Sequence, residues 1–368
     1  PTGLASYAKA KGKYIGSAYD NAYISDSAYN QVVFPNVNQL TCENSMKWDS
    51  LEQTQGDFST SLWADRVVNI TILNSMTLRG GFLQEIHGAR RWVTGGSWTN
   101  ATLTSVMTNH ITGVMNKYKG KIHTWDVVNE ALNVGNRVAY LESSTKRLLG
   151  RRLPNRLIAL PFLLSTITTC KSPNYLYPAE TDFSSDGTGS KSTGMTNLVT
   201  RVKARGAPIE QIGIQAHLIV GSVPTTLSTN WNNFVNLGVS IAITELDIRM
   251  PTPATSANLA QQATDYGTSP RSIKRGTLTL FPVNVVTACV ASTIVWGMSD
   301  AHSWVSSTFS GQGAACLYDE SMQPKAAYTA VKNLLGHRLI ARYTSAFSLE
   351  YLIVIGLLHE NSHDERFE

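Results

Sequence analysis

Charge is scarce in this chain: Asp, Glu, Lys and Arg make up 15% of its 368 residues. Cysteine is scarcer still, with four residues (Cys42, Cys170, Cys289, Cys316) and no CxxC spacing, which argues against a zinc site. No Pro-rich or Ser/Gly-rich linker divides the chain, so one large domain is expected rather than two. Internal repeats, low-complexity tracts and heptads are absent, which leaves no reason for an obligate oligomer and predicts a monomer. The apolar run Tyr351–Leu358 is far too short to span a bilayer, so no membrane partner is expected. The formal net charge of +5 is local, gathered in Lys146, Arg147, Arg151, Arg152 and Arg156 and again in Arg271, Lys274 and Arg275. Neither cluster is interleaved with aromatics, which speaks against a nucleic-acid partner. Aromatics are fairly frequent, with eight Trp, and suit a large core and a polar, aromatic-lined cleft.

What is present is organised around Ile122–Asn133, IHTWDVVNEALN. Its apolar, β-branched start suits a strand covered on both faces, and it ends abruptly in Asn129-Glu130. An amide and a carboxyl at the end of a buried strand are costly unless they pair or do chemistry. Val239–Met250, VSIAITELDIRM, ends the same way in Thr244-Glu245 and then Asp247. Two buried strands that each deliver a Glu at the carboxyl end supply what a pair of catalytic carboxylates needs. The placement matches barrel enzymes, whose chemistry sits at the C-terminal ends of the strands. Gln39–Asp49 brings Glu43, Asn44 and Lys47 close in sequence, either as a polar cap or as a binding shelf. Gln211–Leu218 carries Gln215 and His217, and a lone His on an apolar strand is most often a core residue. Ser292–Ser299 delivers Trp296, with Trp304 beyond it.

These stretches, with LTCENSMKWD, HITGVMNKYKGKI, GIQAHL and VWGMSDAHSW, resemble the family 10 glycoside hydrolases, the retaining endo-β-1,4-xylanases of fungi and bacteria. The resemblance implies a single-domain (β/α)8 TIM barrel over residues 1–335, with a tail of unknown role over 336–368. It implies Glu130 as acid/base and Glu245 as nucleophile, with His217 bonded to Glu245 and Asp247 orienting His217. Glu43, Asn44, Lys47, Asn129, Gln215, His217, Trp296 and Trp304 become expected substrate-binding residues, the tryptophans as stacking faces for sugar rings. The two carboxylates are expected to meet over the barrel mouth with pKa values pushed apart by like charge and partial burial. The partner would be xylan or xylo-oligosaccharide, with no metal and no organic cofactor. Secretion is implied as well, and the sequons Asn69-Ile70-Thr71 and Asn100-Ala101-Thr102 are compatible with a glycoprotein.

Several segments depart from the family pattern: 81–90, 134–193, 267–282 and 336–368. After LRG the family's histidines and Trp are replaced by GFLQEIHGAR, with His87 one position out of register. NYLYPAETD (Asn174–Asp182) stands where the fifth strand is expected, and the pattern resumes at Gly194. The expectation is therefore a barrel with disrupted third- and fifth-strand regions. Cys289 resembles one half of a family disulfide whose second cysteine is absent. Two functions follow: an endo-β-1,4-xylanase, or a catalytically impaired xylanase-like protein that binds polysaccharide or a protein partner through the old cleft.

Overall fold

The computed structural model describes residues 3–81, 91–130, 132, 177–207, 209–267 and 290–336. Most of the departing segments 81–90, 134–193, 267–282 and 336–368, with Cys170 and Cys289, lie outside the described residues.

Ten strands are formed: β1 Tyr14–Tyr19, β2 Gln39–Cys42, β3 Thr77–Gly80, β4 Thr124–Asn129, β5 Tyr177–Asp182, β6 Gln211–Ile214, β7 His217–Ile219, β8 Ser240–Pro251, β9 Val290–Val295 and β10 Gln312–Gly313. Of these, β7 and β10 pair only with β8, and the remaining eight pair in parallel around a ring that closes through β8, β9 and β1. Helices on the chain between strands, among them Leu62–Leu73, Asn100–Lys117, Ser190–Lys203, Leu227–Val235, Ser256–Gly267 and Ala326–Gly336, complete a (β/α)8 barrel.

The ring includes the third and fifth strands, although residues 82–90 and 133–176 of the regions expected to be disrupted are not described. β3 pairs with β2 and β4, and β5 pairs with β4 and β6. Closure depends on the main-chain ladder, which YPAETD enters without an apolar run of its own. β5 and the helix that starts at Ser190 both lie ahead of Gly194, where the family pattern resumes. The helix Asn100–Lys117 begins where Thr99 and Thr102 form a reciprocal capping box.

The barrel interior is filled at one level by polar groups. Arg79 of β3, 1% exposed, donates through Nε to Asp126 Oδ2 of β4 at 2.7 Å, pairs a second time with Oδ1, and reaches Gln211 Oε1 of β6 at 2.9 Å. Beside it Gly80 must lack a side chain, since a Cβ would lie 2.3 Å from the Trp125 ring. Gly213 of β6 plays a like part nearer the mouth. Its bare backbone lets the hydroxyls of Thr181 on β5 and Thr244 on β8 bond each other across it at 2.8 Å.

Candidate active site

Both strands that carry a carboxyl-terminal Glu gain one residue on their neighbours. From Ile243 to Asp247 β8 advances four residues while its neighbour advances from Ile214 to His217. On the other side Ile243 faces Thr293 and Leu246 faces Val295, so the extra residue falls within Thr244–Leu246. In β4, Asp126 faces Ala179 but Val128 faces Glu180, which puts a second bulge just before Asn129 and Glu130. A bulge bends its strand and re-aims the side chains that follow, here at the C-terminal rim of the barrel.

The backbone turns sharply at two neighbouring points. Glu130 has φ 54° and Ala216 has φ 62°, left-handed conformations that cost an L-residue roughly 1–2 kcal/mol each. Glu130 is held there by its N–H donating to the Thr181 carbonyl at 2.8 Å. Ala216 divides the expected sixth strand into β6 and β7 and leaves Gln215 and His217 on either side of the turn. Gln215 Nε2 donates to Asn129 Oδ1 at 3.1 Å and to Glu130 Oε1 at 3.0 Å. His217 Nε2 bonds Glu245 Oε2 at 3.1 Å, and its Nδ1 bonds Asp247 Oδ2 at 2.9 Å. Asp247 Oδ2 also accepts from Trp304 Nε1 at 2.8 Å, and the Trp304 ring stands edge-on to His217.

Burial dominates the electrostatics. It pushes the Glu245 carboxyl up to about 7, against the lowering effect of the His217 hydrogen bond and charge, with Asp126 and Glu130 adding like-charge repulsion. For His217 burial acts downward, yet the two carboxylates it bridges outweigh it and raise the imidazole to about 10. The imidazole is therefore a cation held between two acidic groups. Behind it, burial lifts Asp186 to about 6.

The groups surround an open cleft of about 330 Å³, lined by Lys47, Asn129, Glu130, Gln215, His217, Glu245, Trp296 and Trp304, with Phe183, Ser184, Arg249 and Phe309. Its size and its mix of aromatic and convergent polar groups suit a small-molecule or oligomer site. The family model for glycosyl hydrolase family 10 matches residues 3–334.

The chain belongs to glycosyl hydrolase family 10.

It is similar to the endo-1,4-beta-xylanase of Agaricus bisporus, 38% identical over 88% of this chain and 91% of that one. To endo-1,4-beta-xylanase A of Phanerodontia chrysosporium it is 40% identical, over 89% of this chain and 76% of the other. A glycosylated endo-beta-1,4-xylanase from Gloeophyllum trabeum superposes with a TM-score of 0.78 at 30% identity, over 91% and 99% of the two chains. Xylanase 10B of Thermotoga petrophila, in complex with xylobiose, gives a TM-score of 0.78 at 27% identity over 91% and 97%.

Within this family 10 barrel, the cleft gathers most of the residues expected from sequence. Glu43 and Asn44 are not among the residues that line it. Glu43 is turned toward Tyr23, whose hydroxyl donates to it at 3.4 Å, and Asn44 is exposed, its N–H donating to Asp20. They follow β2 directly, whereas Lys47, at the start of the next helix, reaches the cleft. Trp296 is only 8% exposed and packs with Ala18 and Trp304. Asp247 lies behind His217 and is not among the lining residues. Sequence reading missed Phe183, Ser184, Arg249 and Phe309. For Arg249 a signal existed, since it lies two residues beyond Asp247 on β8 and therefore on the same face. Its guanidinium lies 4.3 Å from the Phe309 ring and its Nε donates to Gln312.

Among the described residues no group of His, Cys, Asp and Glu is arranged to hold a metal ion, and no helix is long and apolar enough to cross a membrane. Cys42 and Cys316 are buried free thiols.

Proposed function

We propose that Glu130 is the acid/base and Glu245 the nucleophile with which this chain hydrolyses internal β-1,4-xylosidic bonds of xylan, with retention at the anomeric carbon. The hydrolytic activity follows from membership of family 10 and from the xylanases it resembles. The assignment to these two residues rests on one observation. The tripeptide Gln215-Ala216-His217 bonds one carboxyl with each of its outer side chains, Glu130 on one side and Glu245 on the other.

In the first step a Glu245 oxygen attacks the anomeric carbon while the glycosidic C–O bond breaks. Glu130 gives its proton to the departing oxygen, and the sugar is left esterified to Glu245. In the second step Glu130, now a carboxylate, takes a proton from water as that water attacks the same carbon and displaces Glu245. The His217 cation stabilises the ionised nucleophile, and Asp247, held by Trp304, fixes the ring. With Oδ1 occupied by Gln215, Asn129 has its Nδ2 left for the sugar's 2-hydroxyl. Lys47, Trp296 and Trp304 line the path of the chain of sugars, which the xylobiose bound by the Thermotoga petrophila enzyme exemplifies.

We place the catalytic barrel in residues 1–335, acting as a monomer outside the cell, where a polymeric substrate is met. Both carboxyls and their supports are retained, which a binding module has no use for. The test is reducing-sugar release from β-1,4-xylan, beside Glu130→Gln and Glu245→Gln. Losses of at least ~100-fold are expected in both, the scale of acid–base catalysis or more. The first product anomer, read by proton NMR, should be β. Variants that keep parental rates, or an α first product, would overturn the assignment.

A further inference from the structure

The helix Leu62–Leu73 has a face that nothing among the described residues covers. Its inner side buries Ala64, Val67, Val68 and Thr71 against the barrel. Its outer side leaves Leu62 65%, Trp63 58%, Ile72 50% and Leu73 82% exposed. These four are the large apolar side chains most exposed among the described residues, and they share one helix. Apolar surface gathered in this way on a soluble domain marks an interaction surface or a liability.

Asn69 sits inside that face and is itself exposed. At 3.6 residues per turn, Leu62, Asn69 and Leu73 fall along one line, with Leu62 about 10 Å and Leu73 about 6 Å from Asn69 along the axis. Asn69 is also the acceptor of the sequon Asn69-Ile70-Thr71. The coincidence of a sequon with the exposed strip identifies what lies on it.

We propose that Asn69 carries an N-linked oligosaccharide whose first sugars lie over Leu62 and Leu73. Asn69 Nδ2 forms a bond to C1 of the sugar as the C1–O bond to a lipid-linked diphosphate donor breaks, and the proton lost by the amide leaves with the released diphosphate. The folded protein cannot be the acceptor. Thr71, whose hydroxyl the transfer requires, is 1% exposed, and its Oγ1 donates to the Val67 carbonyl at 2.7 Å. Transfer thus precedes closure of the helix, and the sugar then takes up its place on the finished face. The C–H faces of the pyranose rings meet the leucine side chains, and the hydroxyls face water.

The inference rests on passage through a secretory pathway, proposed above. Xylan hydrolysis is assayed on the same preparations, so that its failure and this one are told apart. The full chain is secreted from a yeast behind a cleavable leader, and the tryptic peptide Val67–Arg79 is analysed after enzymatic deglycosylation in oxygen-18 water. Labelled Asp at position 69 is expected. Native trimming of the sugar, and separately Asn69→Gln, should raise hydrophobic-dye fluorescence at least twofold and broaden sedimentation, with xylan hydrolysis unchanged. Adding Leu62→Lys and Leu73→Lys to Asn69→Gln should abolish both effects. An unmodified Asn69 in the secreted chain would overturn the proposal. So would an occupied Asn69 whose trimming changes neither readout, or a face buried by a second copy of the glycosylated chain.

Discussion

Replacing His217 by Asn keeps a hydrogen-bonding side chain between Glu245 and Asp247 but removes the cation. The structure sets the size of the effect. Burial already holds Glu245 near 7, against an ordinary value of 4.5, a penalty of about 3 kcal/mol on the ionised form. The 3.1 Å contact with a charged imidazole opposes that penalty, and a charge-assisted hydrogen bond contributes about 1.5–3 kcal/mol, or about one to two pH units. Its loss should drive the acid limb of kcat/KM from near 7 in the parent to about 8–9 in the variant. At pH 6 the ionised fraction of Glu245 falls by about 10–100-fold relative to the parent. The assay is a pH profile of kcat/KM on a soluble xylo-oligosaccharide, from pH 4 to 10, with both proteins shown folded by circular dichroism. An acid limb that stays in place, or moves down, would refute the claim that His217 is a cation supporting an ionised Glu245.

The same pair makes stability depend on pH. His217 is raised to about 10, so its contribution is fully present below about 6.5 and is lost as pH rises through about 10. Scanning calorimetry should show a Tm that declines over that window, and less steeply in His217→Asn. Arg79→Met strands Asp126 inside the barrel without its partner, and a loss of about 3–5 kcal/mol is expected by denaturant titration. Ala216→Val places a β-branched residue at φ 62°, and kcat should fall at least tenfold with KM less affected, while Ala216→Gly stays within about 1 kcal/mol of the parent in stability.

The two strands that carry Glu130 and Glu245 could be read from sequence because each is a buried apolar run that ends in polar groups with no structural reason to be there. Neither bulge could, since one extra residue in a ladder leaves no mark on composition. β5 carried a weak signal for a related reason. YPAETD has little apolar character, and its place comes from β4 and β6 on either side. Thr99 hid the true start of the helix Asn100–Lys117, since Thr at the third position is not the Glu or Gln that advertises a capping box. Glu43, Asn44 and Lys47 were grouped by nearness in sequence and by the family resemblance, and of the three Lys47 lines the cleft. Phe183 follows the end of a strand whose own residues give little sign of it.

The turn at Ala216 has a consequence for stereochemistry. Whether a glycosidase keeps or inverts the anomeric configuration depends on the spacing of its two carboxyls, roughly 5–5.5 Å in one case and 6.5–9.5 Å in the other. Here the outer side chains of one kinked tripeptide bond both proposed carboxyls, Glu130 through Gln215 and Glu245 through His217, and so help to fix their spacing. Shortening a carboxyl side chain, as Glu245→Asp would, widens the spacing from one side only. An insertion or deletion at Ala216 would move both partners of the carboxyls at once. The enzyme's handedness toward its product thus depends in part on a turn that touches no sugar.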